Sequence, residues 1–365
     1  MSTSTRNDAQ ASTTEASADG RSGRDVPSAP SLGERVRNAL APQKISGVYV
    51  WLLLIVFFSI ATEQFLTMGT LRTIASEQAV TALLAMGLTI ALAAGAFDLS
   101  VGAGMGFAGL VVARLMVDAE LSPLLAVVIA LLVMGLVGGL NAVIVVKAKV
   151  APIITTLGMG SILTAATFVV SDNQNIIGLP QGFRRIADIQ VASFPIPTVY
   201  VLVVAMVLWY LLEWTPFGRR LYATGGGEEV ARLAGVRTSR YLSISFVSAA
   251  VIAGLAGIIV TSRLGTGSPD VGPTYLLPAF AACFLGATQF RPGRFNIWGT
   301  LLAVYLLATG VKGLVYMGAD FWVPDLFNGV ALIVAVALSS LQSSRRNKKL
   351  EKAADREAAV APAAA

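Results

Sequence analysis

Long apolar runs, separated by short polar or basic stretches, fill this chain from residue 48 to residue 342. No other feature constrains the fold as strongly. A helix needs about 20 mostly apolar residues to cross the hydrocarbon core of a bilayer. Candidate spans fall at 48–62, 79–95, 102–117, 123–146, 153–171, 196–213, 241–261, 275–288, 295–316 and 322–342. The pattern predicts an all-α, polytopic membrane bundle of about ten spans.

Composition agrees. Of 365 residues, 55% are hydrophobic and only 13% charged, where a soluble domain carries about 25% charged residues. So few charges cannot keep a surface of this size in water. The net charge of +6 does not point to nucleic acid. The bases gather at the ends of apolar runs and in the C-terminal stretch (Arg345, Arg346, Lys348, Lys349, Lys352), as the positive-inside rule requires. There is one cysteine, Cys283, and no histidine. That excludes an intrachain disulfide and a Cys/His site for zinc, haem or an iron–sulfur centre.

Residues 1–44 are polar, with no apolar stretch long enough for a signal-peptide core. They are expected to form a disordered cytoplasmic tail, followed by a membrane domain over 45–343 and a charged, Ala-rich cytoplasmic tail over 344–365. Ten spans put both termini on one side. Loops on that side hold Lys147 and Lys149, then Arg219, Arg220, Arg232, Arg237 and Arg240, then Arg291 and Arg294. The opposite side holds chiefly Arg184, Arg185 and Arg263. The bias predicts cytoplasmic termini in a cell membrane.

A weak internal repeat is visible. Gly95 and Asp98 recur 172 residues later as Gly267 and Asp270, and Pro152 recurs as Pro324. Five spans per half would invert the second copy relative to the first, and inverted repeats build pathways between halves.

Two segments carry chemistry. The first, Gly95-Ala96-Phe97-Asp98-Leu99-Ser100-Val101-Gly102, interrupts two apolar runs. An Asp at membrane depth costs about 2.5–3.5 kcal/mol on insertion scales, so it is buried in protein or faces water. Flanking glycines allow a break, and Asp98 or Ser100 can accept free N–H groups of the next helix. Such a break serves either as a gate lining a pathway or as a structural cap at a tight turn. The second is the connection over 214–240. Gly225, Gly226 and Gly227 end one element, Glu228 and Glu229 suit a first helical turn, and Gly235 stops the helix. About two turns of helix are marginal alone in water, so this one is expected to dock: on a partner as a lever, or on its own bundle as a connector. The longest external segment, about 172–195, could receive a solute-carrying protein. No G-x-x-x-x-G-K-[ST] loop, G-x-S-x-G elbow or metal motif occurs, so no ATPase or other enzyme is indicated.

At these residues the chain resembles the permease subunits of ribose-type ATP-binding-cassette (ABC) importers, which also handle xylose, galactose and related monosaccharides. The carrying segments are Gly87-Leu88-Thr89-Ile90 through Gly102, Gly139-Leu140-Asn141-Ala142, Ala151-Pro152-Ile153-Ile154-Thr155-Thr156-Leu157-Gly158, Phe217-Gly218-Arg219 with Gly225 to Gly235, and Ala253-Gly254-Leu255-Ala256-Gly257 followed by Arg263-Leu264-Gly265. They occur in order and at family spacing over about 45–343. The chain departs from the family at Ala96-Phe97, before the Asp, and at Gly286-Ala287-Thr288-Gln289 with Arg291-Pro292-Gly293-Arg294. The resemblance implies an inner-membrane, non-catalytic permease domain. It implies a second permease copy, an ABC ATPase subunit that binds ATP and Mg, and an extracytoplasmic sugar-binding protein; this chain would hold no cofactor or metal itself. It further implies that Glu228, Glu229, Ala231, Arg232, Leu233 and Gly235 couple to the ATPase. Asp98, Ser100, Asn141 and Asp270 become candidates for the pathway or its gate. The nearest alternative is a related permease for branched-chain amino acids or nucleosides. A self-sufficient transporter is less well matched, because Asp98, Lys312, Asp270 and Arg114 all lie near span ends rather than in mid-span.

Overall fold

The computed structural model describes residues 42–191 and 193–360, with side-chain surroundings for 46–191 and 193–341. The tail expected over 1–44 therefore lies outside the described residues, apart from the few that open the first helix. The described residues form thirteen helices and one two-residue hairpin. The first half holds α1 (Pro42–Ala61), α2 (Met68–Ala93), α3 (Ser100–Val117), α4 (Pro123–Val146) and α5 (Pro152–Ser171). A connection follows with α6 (Gln181–Asp188), β1 (Gln190–Val191) and β2 (Phe194–Pro195). The second half holds α7 (Ile196–Trp214), α8 (Pro216–Gly226), α9 (Glu228–Leu233), α10 (Thr238–Leu264), α11 (Val271–Gly286), α12 (Ile297–Tyr316) and α13 (Val323–Val360). All ten apolar runs lie on helices. Eight are long and apolar enough to cross a membrane; Ser46–Ala61 within α1 and Val271–Gly286 are shorter apolar helices. Residues 361–365 lie outside the described set.

One boundary moves well beyond the apolar run. The second span is read from residue 79, but α2 starts at Met68, where the Thr67 hydroxyl accepts from the Thr70 N–H at 3.2 Å. Arg72, Glu77 and Gln78 hide these early turns from a hydropathy pattern. They remain helical because the capping bond and the helical ladder do not depend on side-chain polarity.

α2 and α10 form the centre. From Ala79 to Ala93 every α2 residue is buried, and α10 packs on α2, α3 and α4. Lipid tails offer no hydrophobic drive between helices, so close contact depends on small residues. Gly138 of α4 shows this: a Cβ there would come within 2.7 Å of the Phe246 carbonyl oxygen and the Val247 Cα of α10. α4, α5, α7 and α13 form the rim, and the apolar window of α13 is only 6% buried, a face left to lipid or to another chain.

The repeat is visible in the packing. α3 packs on α4 and α5, as α11 packs on α12 and α13. α4 lies antiparallel on α10, with Gly138 beside Ala250 and Met134 beside Gly254. The 172-residue offset carries the first pair onto Gly310 and Gln78. At that position α12 lies antiparallel on α2, with Lys312 Nζ 3.4 Å from Glu77 Oε2 and the Thr300 hydroxyl 2.9 Å from that of Thr89. Five long helices stand in each half, and four of the five keep equivalent neighbours. The outer pair differs: α1 packs on α12, tied by the Trp51 Nε1 bond to the Thr309 hydroxyl at 2.8 Å, whereas α7 packs on α2.

Candidate functional site

The connection from α2 to α3 is built by two local devices. α2 closes with the Ala96 N–H on the Ala91 carbonyl and the Gly95 N–H on the Leu92 carbonyl, at 2.9 and 3.0 Å, with Gly95 at φ +84°. That is a Schellman ending, which needs a left-handed residue and so favours glycine. Asp98 then accepts from both the Ser100 N–H (3.0 Å) and the Ser100 hydroxyl (2.5 Å) at the start of α3. Asn141 of α4 donates to the Ser100 hydroxyl oxygen at 3.0 Å. Asp98, Ser100 and Asn141 are thus brought into one chain of hydrogen bonds, and Asp98 and Asn141 are fully buried.

Two further residues hold this break. The Leu99 N–H donates to the Thr156 hydroxyl of α5 at 3.0 Å, and that hydroxyl reaches the Phe97 carbonyl at 3.2 Å. Phe97 stacks on Phe280 and Phe284 of α11 at 6.1–6.5 Å between ring centroids. The break therefore touches α4, α5 and α11 together. Asp98 Oδ2 and Asn141 Oδ1 have no partner among the described residues. A buried carboxylate with one oxygen unpaired is costly.

The 214–240 connection folds into two short helices. α8 ends at Gly226, and Gly227 is extended (φ 168°). α9 covers Glu228–Leu233 and closes with the Val236 N–H on the Ala231 carbonyl (2.9 Å) and the Gly235 N–H on the Arg232 carbonyl (3.0 Å), with Gly235 at φ +81°. The same Schellman device ends α2 and α9. Ala231 is buried against the bundle, while Val230 is 73% and Leu233 82% exposed. These two apolar residues are three apart and so share one face. Glu229 and Arg232 form an exposed pair at 4.0 Å, and Glu228 accepts from the Thr238 hydroxyl at 3.3 Å. On α8, burial pushes the Tyr222 phenol above its usual range; the Arg294 guanidinium lies 3.6 Å from the ring centroid.

The two segments meet. Gly225 of α8 lies against the end of α2, and a Cβ on Gly225 would stand 2.8 Å from the Gly95 nitrogen. A cleft of about 770 Å³ runs between them, lined by Gly95, Lys149, Pro152, Gly225, Glu228 and Arg232 among others. Asp270 is not part of this site. It is exposed at the N-cap position of α11, without a side-chain capping bond. Thr156 and Gly225 join the site through packing: in the sequence Gly225 only opens a run of three glycines, and Thr156 is a hydroxyl one turn past Pro152.

The family model described as branched-chain amino acid transport system / permease component matches residues 70–337. The ribose import permease protein RbsC of Bacillus subtilis (strain 168) is 32% identical over 304 residues, covering 83% of this chain and 94% of that protein. The D-allose transport system permease protein AlsC of Escherichia coli (strain K12) is 33% identical over 289 residues, covering 79% and 88%. The galactose/methyl galactoside import permease protein MglC of Salmonella typhimurium is 29% identical over 322 residues, covering 83% and 96%. No solved structure matches the chain.

Proposed function

The chain belongs to the family of branched-chain amino acid transport system permease components, and we propose that it is the membrane-spanning permease subunit of an ATP-driven importer for a monosaccharide. One observation carries the reading: relatives that align over 79–83% of this chain and 88–96% of their own length are permeases named for ribose, allose and galactose. The family description names branched-chain amino acids, but similarity to sugar permeases over about four fifths of the chain favours a sugar.

In this reading the chain sits in the cell's inner membrane with both termini and α9 in the cytoplasm. It works with a second permease copy, with an ATPase subunit that binds and hydrolyses ATP with Mg, and with an extracytoplasmic sugar-binding protein. α9 is the docking element for the ATPase: Val230 and Leu233 enter a groove on the partner, Glu228, Glu229 and Arg232 set its register, Ala231 anchors the helix to the bundle, and Gly235 ends it. Closure of the ATPase pair moves α8 and α9, and the Gly225–Gly95 contact passes that motion to the Asp98 break. Asp98, Ser100 and Asn141 then exchange partners as the halves rock and the pathway opens to the other side. Asp270, at the far end of the bundle, is placed for the extracytoplasmic mouth.

The test is reconstitution. The ATPase and binding protein that co-purify with the chain from native membrane are combined with it in proteoliposomes. ATP-driven uptake of D-ribose, D-allose or D-galactose is expected only when all components are present. Concentrative uptake by the purified chain alone, or uptake of leucine but of no sugar, overturns the reading.

A further inference from the structure

A second polar feature lies away from the α8–α9 end. Gln78 and Thr81 of α2, Thr274 and Tyr275 of α11, and Asn328 of α13 line one cavity of about 170 Å³, closed on the α12 side by apolar residues such as Leu307 and Val311. Gln78 stands about 22 Å along α2 from Ala93, at 1.5 Å per residue. The cavity is therefore in the half of the bundle far from α9.

Three of its five polar side chains lack hydrogen-bond partners. Among the described residues, the side chains of Gln78, Thr81 and Asn328 make no hydrogen bond, unlike Thr89 of α2 and Thr300 of α12, which pair with each other. α11 adds an acceptor. Pro278 lies inside that helix, and having no N–H it leaves the Thr274 carbonyl without its helical donor. The polar atoms of the three side chains line the space rather than being sealed in packed side chains, so they are free to meet a ligand. Three unpaired side chains and a freed carbonyl around one space point to a ligand rich in hydroxyls.

The lining also selects by charge. None of the described lining side chains is ionised. Two cations beside the lining are engaged: Lys312 with Glu77 at 3.4 Å, and Arg263 with the Ser76 carbonyl and the Tyr275 hydroxyl at 3.3 and 3.4 Å. An amino acid would bring two charges into a lining that carries none. A sugar brings none. An amide offers a donor and an acceptor side by side, matching neighbouring hydroxyls, while Tyr275 and the α12 wall suit the C–H face of a sugar ring.

We propose that this cavity between α2, α11, α12 and α13 is a binding subsite for one uncharged sugar ring, entered from the side opposite α9. The proposal rests on the permease reading and supplies it with a place for the solute inside a single chain.

The test is substituted-cysteine protection. Gln78→Cys and Asn328→Cys are made separately, so that misfolding of one leaves the other readable. Each is assembled with its partners in right-side-out vesicles and treated with a membrane-impermeant methanethiosulfonate. Labelling from outside is expected. It should slow roughly tenfold when the imported sugar, out of D-ribose, D-allose and D-galactose, stands at ten times its dissociation constant; L-leucine should leave the rate unchanged. Wild-type uptake is measured alongside. If the wild-type complex imports a sugar that does not protect either cysteine, or if leucine protects, the subsite is refuted and the permease reading stands. If the wild type imports no sugar, the reading beneath the proposal fails as well.

Discussion

Gly225 in the last turn of α8 lies with its backbone against Gly95, the residue that closes α2: a Cβ on Gly95 would stand 3.1 Å from the Gly225 Cα, and one on Gly225 would strike the Ala93 carbonyl oxygen. Two helix ends meet here with no side chain between them. Contacts between rigid elements that lack flexible side chains transmit displacement directly, because packed interiors have little compressibility. The short α9 helix starts three residues after Gly225, and Asp98 stands three residues after Gly95. The contact therefore links α9 to the buried polar break.

Gly225→Val tests that route. The added side chain has nowhere to go without separating α8 from α2, at a cost of about 1–3 kcal/mol. The protein should still insert, since its spans are untouched. ATP hydrolysis by the assembled complex should continue while sugar uptake falls by an order of magnitude or more. Normal uptake per ATP hydrolysed would show that the α8–α2 contact carries no motion.

Exposure on α9 gives a second expectation. Val230 and Leu233 are mostly in solvent, so Val230→Ser with Leu233→Ser removes little buried area and should change stability by less than about 0.5 kcal/mol. The ATPase subunit should nevertheless no longer co-purify with the variant. Replacing Glu228 and Glu229 with Lys should uncouple hydrolysis from uptake while leaving insertion intact. Retention of the ATPase by the serine double variant would make α9 a connector packed on its own bundle.

The buried chain of hydrogen bonds predicts an asymmetry at Asn141. Asn141→Leu removes one bond to the Ser100 hydroxyl and should cost about 1–2 kcal/mol. Asn141→Asp is closer in shape yet should cost more, about 3–5 kcal/mol, because two carboxylates would then compete for one hydroxyl proton in a site without a cation. Thermal unfolding of the two variants in detergent decides the order. Equal unfolding temperatures would mean that water reaches Asp98 and screens it.

Much of this was legible in the sequence because lipid is an exacting solvent. Backbone groups must be satisfied within each span, so the ten apolar runs announced their helices directly. The Schellman stops at Gly95 and Gly235 were also readable, since left-handed backbone strongly favours glycine. The start of α2 was not, because Arg72, Glu77 and Gln78 break the apolar pattern while the Thr67 cap and the backbone ladder keep those turns helical. Nor was the company kept by Asp98. Asn141 and Thr156 lie 43 and 58 positions further along the chain, and only the packing of α4 and α5 on α3 brings them there. Asp270 shows the limit of the repeat as a guide: it occupies the equivalent position, but α11 opens at an exposed end, so the equivalence is of backbone and not of surroundings.

Orientation underlies every functional statement made of α9, and it has its own test. Glu229 and Asp172 are 83% and 72% exposed in their side chains and lie at opposite ends of the bundle, Glu229 on α9 and Asp172 at the end of α5 that points away from Pro152 and the α9 cleft. Cys283, the single native thiol, is fully buried and donates to the Ala85 carbonyl at 3.1 Å, so the wild type should stay unlabelled until denatured. Against that blank, Glu229→Cys should react with an impermeant maleimide only in inside-out vesicles, and Asp172→Cys only in right-side-out ones. The positive-inside rule requires this result, because the α8–α9 side holds Lys147, Lys149, Arg219, Arg220 and Arg237. The reverse pattern would put α9 outside the cell, beyond reach of any ATPase, and the importer reading would fall with it.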